Sequence, residues 1–268
     1  MNASEAAGFE TVRSWLNERC GIHYPEHKRE LLVQRLGRVQ RAYAIASFQA
    51  LAQEVRPSGR HDVQLAVMHA ASTNHTYFFR EQGVLDQFRT QILPTFRGRH
   101  EYRFWSAACS SGDEAYTMAI IIAETEGLAA LQRTQILGTD ISAPVVERAE
   151  QGIYGQRQLE YVPPDILKRY FRPIGIDQYQ VIPEVRACCT FRRMNLMTRP
   201  YPFHRPFQAV FCRNVLYYFE KADQSATVDA LFDVTEPGGW LVTSVTENLR
   251  DLNTRWQIVG SGIARRVN

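Results

Sequence analysis

The chain has no long hydrophobic run. No stretch approaches the roughly 18 consecutive apolar residues that a membrane-spanning helix requires, so insertion into a bilayer is not expected. The segment Met1 to Glu10 has no basic patch followed by an apolar one, so no secretory leader is expected and the chain reads as cytoplasmic. Cysteine is scarce, with Cys20, Cys109, Cys188, Cys189 and Cys212 as the only five, and they form no C-x-x-C pair. No histidines stand at ligand spacing beside them. A disulfide framework and a metal site are therefore not expected, and reduced thiols in a core are the reading. Also missing is G-x-G-x-x-G, which argues against a dinucleotide dehydrogenase. The Asn-Pro-Pro-aromatic motif of nucleic-acid base methylation is absent too, so no nucleic-acid partner is expected.

What is present is globular: 268 residues, 45% hydrophobic and 22% charged, long for one ordinary domain and short for two. The net charge of +3 is unevenly divided. Residues 1–100 carry 13 Lys/Arg against 9 Asp/Glu, whereas residues 101–268 carry 18 against 19. The positive excess lies in the first third.

That first third reads as helices. Ser4 can cap a helix to about Arg19, with Phe9, Val12, Trp15 and Leu16 at core spacing. A second helix, about Glu26 to Tyr43, repeats Leu32, Leu36, Val39 and Tyr43 as one apolar stripe. Arg35, Arg38 and Arg41 fan over its flank and back. Ser47 and Arg60 open further helices, the last reaching about Ser72. After His100 strands alternate with helices: Tyr102–Ala107, a helix from Asp113, Gln135–Thr139, a helix with Pro144 in its first turn, and Ala209–Cys212. A helix from Lys221 to Asp233 follows, then a Pro237-Gly238-Gly239 turn into a strand from Trp240 to Val245. Such alternation predicts a parallel sheet wound by right-handed crossovers. Between Gly152 and Asn195 it fails: a short helix to Tyr170 precedes two strands, Gln178–Ile182 and Cys189–Arg192, around a Pro183-Glu184 turn. A small antiparallel insert is expected there.

Ligands of such sheets bind beyond the carboxyl ends of the strands. The loop Ala107–Gly112 is all small residues, and Asp113 and Glu114 behind it disfavour a phosphate. Asp140 ends the second strand, where an acid can accept hydrogen bonds from ribose hydroxyls or cap the next helix. A nucleoside without phosphates fits, and S-adenosylmethionine is such a molecule. Asn195, Asn214 and Tyr218 follow strands at the same rim, and Ser72–Glu81 packs polar groups and aromatics at the junction with the helical region.

The stretches Thr73–Glu81, Arg103–Tyr116, Gly138–Ser142, Asn195-Leu196 and Phe211–Phe219 resemble the CheR-type chemotaxis receptor methyltransferases, in the family's order. The resemblance implies a Rossmann-like α/β methyltransferase sheet, residues 76–268, with an inserted antiparallel β-subdomain at about 153–194. It implies an all-helical receptor-docking domain, residues 1–75. The implied reaction is methyl transfer from S-adenosyl-L-methionine to glutamate side chains on the cytoplasmic helices of chemoreceptors, leaving S-adenosyl-L-homocysteine and serving sensory adaptation. By position, Asn74, Thr76, Arg80, Glu114, Asp140, Asn195, Leu196, Asn214 and Val215 look like cofactor contacts. Arg80 and Tyr218 look like residues beside the transferring methyl. Arg35, Arg38 and Arg41 are the expected docking face, the β-insert is a candidate for a receptor C-terminal pentapeptide, and a monomer is expected. Two departures stand out. Gly112-Asp113-Glu114-Ala115 replaces the usual Gly-Glu-Glu-Pro, and Ser244-Val245-Thr246-Glu247 replaces Gly-His-Ser-Glu. A protein that only senses the cofactor would need the same binding residues, and only activity separates it from an enzyme.

Overall fold

A computed structural model describes residues 2–267. Helices α1 (Ala3–Cys20), α2 (Arg29–Ala42), α3 (Phe48–Glu54) and α4 (His61–Ala71) bury a core of their own around Phe9, Leu16, Leu36, Leu51 and Val67. The expected cap Ser4 is inside α1. Asn2 caps it instead, its Oδ1 accepting the Glu5 N–H at 2.9 Å, while the Ser4 hydroxyl donates to Gln49. No helix among the described residues is long and apolar enough to cross a membrane.

A short helix α5 (Gln82–Gln87) leads to strand β1 (Tyr102–Ala107), helix α6 (Asp113–Glu126), strand β2 (Thr134–Asp140) and helix α7 (Ala143–Gln151). The insert follows: β3 (Ile153–Gly155), α8 (Pro164–Tyr170), β4 (Phe171–Gly175), β5 (Gln178–Val181) and α9 (Pro183–Ala187). The chain ends with β6 (Cys189–Arg193), β7 (Phe207–Cys212), α10 (Lys221–Asp233), β8 (Thr235–Val242), β9 (Gln257–Gly260) and β10 (Ile263–Arg265).

Three expectations change here. The strand at Cys189 does not belong to the insert: β6 lies parallel to β2 in the main sheet, and the insert is a three-stranded antiparallel sheet in the order β3-β5-β4. The Pro183-Glu184 turn is the first turn of α9, where proline costs no hydrogen bond. Pro237 to Gly239 lies within β8, in a stretch where the pairing with β7 shifts register, as strand prolines often do at irregularities. The seven-stranded sheet has the order β6-β2-β1-β7-β8-β10-β9. It is parallel through β8, and the β9–β10 hairpin adds an antiparallel edge that the sequence pattern missed.

The order fixes the site. From β1 the chain moves outward to β2 on one side and later to β7 on the other, so the strand order reverses at β1. Ala107 is in register with Thr139 of β2 and with Cys212 of β7. The segments following these three strands therefore begin side by side on one rim. Every residue of β7 is buried, as a central strand covered on both faces should be.

Candidate functional site

A cleft lies on that rim. Asn74, Thr76, Arg80, Glu114, Asp140, Asn195, Leu196, Asn214, Val215 and Tyr218 all line it. The fold thus brings together ten expected residues from five separate stretches of chain. Arg35, Arg38 and Arg41 do not line it.

The β1 loop is shaped by backbone conformation. Ala108 (φ 65°) and Ser110 (φ 49°) both adopt the left-handed region, where a side chain is strained. Gly112 closes the loop at φ 88°, and a Cβ there would come within 2.8 Å of the Ala149 Cβ. The result aims the Ser110 N–H at Asp140 Oδ2, 2.9 Å away, while Asp140 Oδ1 accepts the Ser142 N–H at 2.9 Å. Asp140 therefore braces the backbone just before α7, and each oxygen keeps capacity for another hydrogen bond. Burial raises its carboxyl above the ordinary value, against the opposing pull of the Ser142 and Ser110 N–H groups.

On the opposite wall the left-handed residues are Phe79, Glu81 and Asn214. Five of the seven non-glycine residues with positive φ among those described belong to segments around this cleft, which concentrates strain where function is expected. Arg213, with its side chain 2% exposed, donates to Glu114 Oε2 at 2.9 Å and to the Arg80 carbonyl at 2.7 Å, and stands 3.4 Å from Glu81. Ser106 donates to the other Glu114 oxygen at 2.7 Å. Glu81 accepts from the Asn214 side-chain amide and the Ser244 hydroxyl, each at 2.9 Å. Burial would raise the Glu81 carboxyl, but Asn214, Arg213 and Ser244 together hold it below its ordinary value. Buried Glu247 collects four backbone N–H groups, from Asn214, Val215, Leu216 and Ser244, at 2.7 to 2.9 Å.

Arg213, Glu81 and Glu247 were not singled out by the sequence reading. Arg213 and Glu81 adjoin residues that were. Glu247 occupies the last position of the departed Ser244–Glu247 motif and keeps that motif's glutamate.

The helical region closes the cleft. Cys20 and Ile22 line it, the His23 N–H donates to the Tyr218 carbonyl at 2.8 Å, and the Asn195 amide donates to the Arg19 carbonyl at 2.6 Å. Gly21 makes this approach possible: its φ is 69°, and a Cβ would lie 2.6 Å from Met197 Sδ and 2.7 Å from the Phe219 ring. His69 of α4 meets the Ser142 hydroxyl at 2.6 Å.

The three arginines of α2 behave differently from one another. Arg35 is part-buried and committed within the chain, donating to the Tyr24 hydroxyl at 2.8 Å and the Ala71 carbonyl at 3.0 Å, with further donation to Ser72 and Thr73. It ties α2 to the junction with the sheet domain and is not a free docking charge. Arg38 and Arg41 are exposed.

The cleft suits a nucleoside bearing a zwitterion. Two acids, Glu114 and Asp140, and two arginines, Arg80 and Arg213, line the cleft, and buried Arg213 Nε has no acceptor among the described residues. A phosphate-free adenosine carrying a sulfonium and an amino-acid carboxylate meets these requirements, which puts the cleft in the S-adenosylmethionine-binding class. Comparison with known proteins narrows this. Residues 7–66 match the CheR methyltransferase all-alpha domain, and residues 74–264 match the CheR methyltransferase SAM binding domain. The chain is 31% identical to the chemotaxis protein methyltransferase of Escherichia coli strain K12 over 260 residues, 96% of this chain and 90% of that one. It is 32% identical to the corresponding protein of Salmonella typhimurium, over 96% of this chain and 89% of that one. It is also 32% identical to chemotaxis protein methyltransferase 1 of Pseudomonas aeruginosa, over 97% and 96%. The chain belongs to the CheR methyltransferase family, and S-adenosylmethionine is its cofactor.

Proposed function

We propose that the chain methylates glutamate side-chain carboxylates on the cytoplasmic signalling helices of chemoreceptors, forming glutamyl methyl esters for sensory adaptation. The relatives' names as chemotaxis protein methyltransferases support this reading. The observation that carries it is that a cation and a hydroxyl, Arg80 and Tyr218, both line the cleft. Arg80 donates to the His75 carbonyl at 3.0 Å and lies over the Tyr77 ring, leaving other N–H groups for a carboxylate.

Bound S-adenosylmethionine supplies an electrophilic methyl on a sulfonium. Everything else falls to the protein. A glutamate, with an ordinary pKa of about 4.3, is ionised near neutral pH, so its oxygen attacks without a general base. Arg80 and Tyr218 hold that carboxylate in line, and positioning provides much of the rate. Asp140 takes the ribose hydroxyls, and Asn74, Thr76 and Glu114 line the remainder of the cofactor site. Leu196 flanks the adenine, and Val215 helps close the site. Asn195 and Asn214 shape those walls, because their side-chain amides are held by Arg19 and Glu81. Arg38 and Arg41 face the acidic receptor, and the outer strands of the insert offer an edge for a receptor C-terminal pentapeptide. The enzyme acts as a cytoplasmic monomer.

The test is incubation with methyl-tritiated cofactor and receptor signalling fragments. Label that mild alkali releases as methanol is expected from an ester. Label stable to alkali, or none despite calorimetric binding of S-adenosylhomocysteine, contradicts glutamate methylation.

A further inference from the structure

Tyr161 projects from the insert with 59% of its surface exposed. It belongs to neither strand edge of the small sheet. Its ring packs on Tyr77, a residue of the cleft wall, with centroids 4.9 Å apart. The Arg80 guanidinium lies over the same Tyr77 ring at 5.8 Å. Beyond Arg80, Tyr217 is 51% exposed and packs on Tyr218 with centroids 4.5 Å apart. Val245, 53% exposed, is anchored through its N–H to Glu81 at 3.3 Å. Tyr161 and Tyr217 are thus each packed on a residue of the cleft wall, and Val245 is tied through its backbone to Glu81, the neighbour of Arg80. Exposed aromatics immobilised around a charged centre mark a contact surface.

We propose that Tyr161, Tyr217 and Val245 form an apolar ledge that grips the methyl-accepting helix on both sides of its glutamate, giving the insert a part in substrate docking. The inference rests on the glutamate-methylating reading. The occupant follows from the place of the ledge: its members rest on Tyr77, Tyr218 and Glu81 at the cleft that Arg80 lines, so whatever lies on it must present a carboxylate to Arg80 and apolar groups beside it. An amphipathic helix with a glutamate among small or apolar neighbours has that chemistry. The rings need no reorganisation on binding because their undersides are already packed.

The experiment compares wild type, Tyr161→Ala and Tyr161→Phe on a receptor signalling fragment that lacks its C-terminal pentapeptide. It measures KM and kcat for methylation, the Kd for S-adenosylhomocysteine by calorimetry, and oligomeric state by sedimentation. Tyr161→Ala is expected to raise KM about tenfold, with kcat and cofactor Kd within about twofold and Tyr161→Phe close to wild type. Unchanged KM in Tyr161→Ala overturns the ledge, as does a defect that lies in cofactor affinity. A concentration-dependent dimer that Tyr161→Ala abolishes assigns the surface to a second copy and also overturns it. A wild-type enzyme that binds cofactor but leaves receptor glutamates unmodified overturns the substrate reading itself, and the ledge loses its occupant.

Discussion

The buried carboxylate of Glu247 receives the backbone N–H of Asn214 at 2.9 Å, with Val215 and Leu216 donating to its other oxygen. This one side chain sets the left-handed turn at Asn214, and through that turn the position of Tyr218. Glu247→Gln keeps the shape but sets an amide donor against N–H groups. It is expected to cost about 2–3 kcal/mol of stability and to weaken S-adenosylhomocysteine binding. Thermal unfolding and calorimetry check both.

Asp113 is fully buried at the start of α6, with one oxygen bonded to the Ser111 hydroxyl and the other without a partner among the described residues. Burial pushes its carboxyl up to about 6. The native state therefore holds this proton more tightly than the unfolded chain, whose carboxyl titrates near 3.9. The stability it contributes is full below about 3.9 and is lost as pH rises through about 6. Asp113→Asn is expected to flatten that loss. Unfolding free energies of the two proteins should differ less at pH 5 than at pH 7.5, and parallel pH profiles would contradict the assignment.

His69 carries the opposite sign. Burial, and then the charge of Arg148, hold its imidazole below the ordinary value. Its contribution is present above the unfolded pKa of about 6.5 and is lost as pH falls through the lower folded value. Stability is expected to decline on acidification, and His69→Gln should reduce the decline. An NMR titration of the ring gives the folded pKa directly.

Arg35 and the pair Arg38 and Arg41 should separate cleanly. Arg35→Ala removes donors to Tyr24 and Ala71 and is expected to cost about 2 kcal/mol of stability. The double variant Arg38→Ala, Arg41→Ala should leave the melting temperature unchanged, lower receptor methylation and reduce its dependence on salt. Methylation rates between low and high salt decide.

Gly21→Ala places a side chain at φ 69° and against Met197 and Phe219. The expected cost is about 2–4 kcal/mol. Because Cys20 and Ile22 wall the cleft, cofactor affinity should fall with it.

Much of this was legible in the sequence. The rim residues stood at strand ends, and strand ends of a parallel sheet converge, so Asp140, Asn214 and the Ala107–Gly112 loop could be placed together before any coordinates. Periodicity found α2 with little error because Leu32, Leu36 and Val39 are buried at helical spacing. It failed where burial does not repeat. Cys189–Arg193 has an edge strand's mixed pattern, so nothing local distinguished main sheet from insert. The braces of the site were invisible for another reason. Glu247 meets Asn214, and Arg213 meets Glu114, across gaps of 33 and 99 residues, and no spacing rule encodes such contacts. The basic face of α2 misled for Arg35 because a helix projection shows direction but not the partners waiting there.

The central claim is that a glutamate carboxylate of a receptor helix accepts the methyl group. Peptide mass spectrometry of a receptor signalling fragment, treated with enzyme and S-adenosylmethionine, tests it most directly. Single methyl additions on glutamates are expected, erased by mild alkali, and none where those glutamates are replaced by glutamine. Methylation on lysine, or an unmodified fragment beside an enzyme that binds its cofactor, would contradict it.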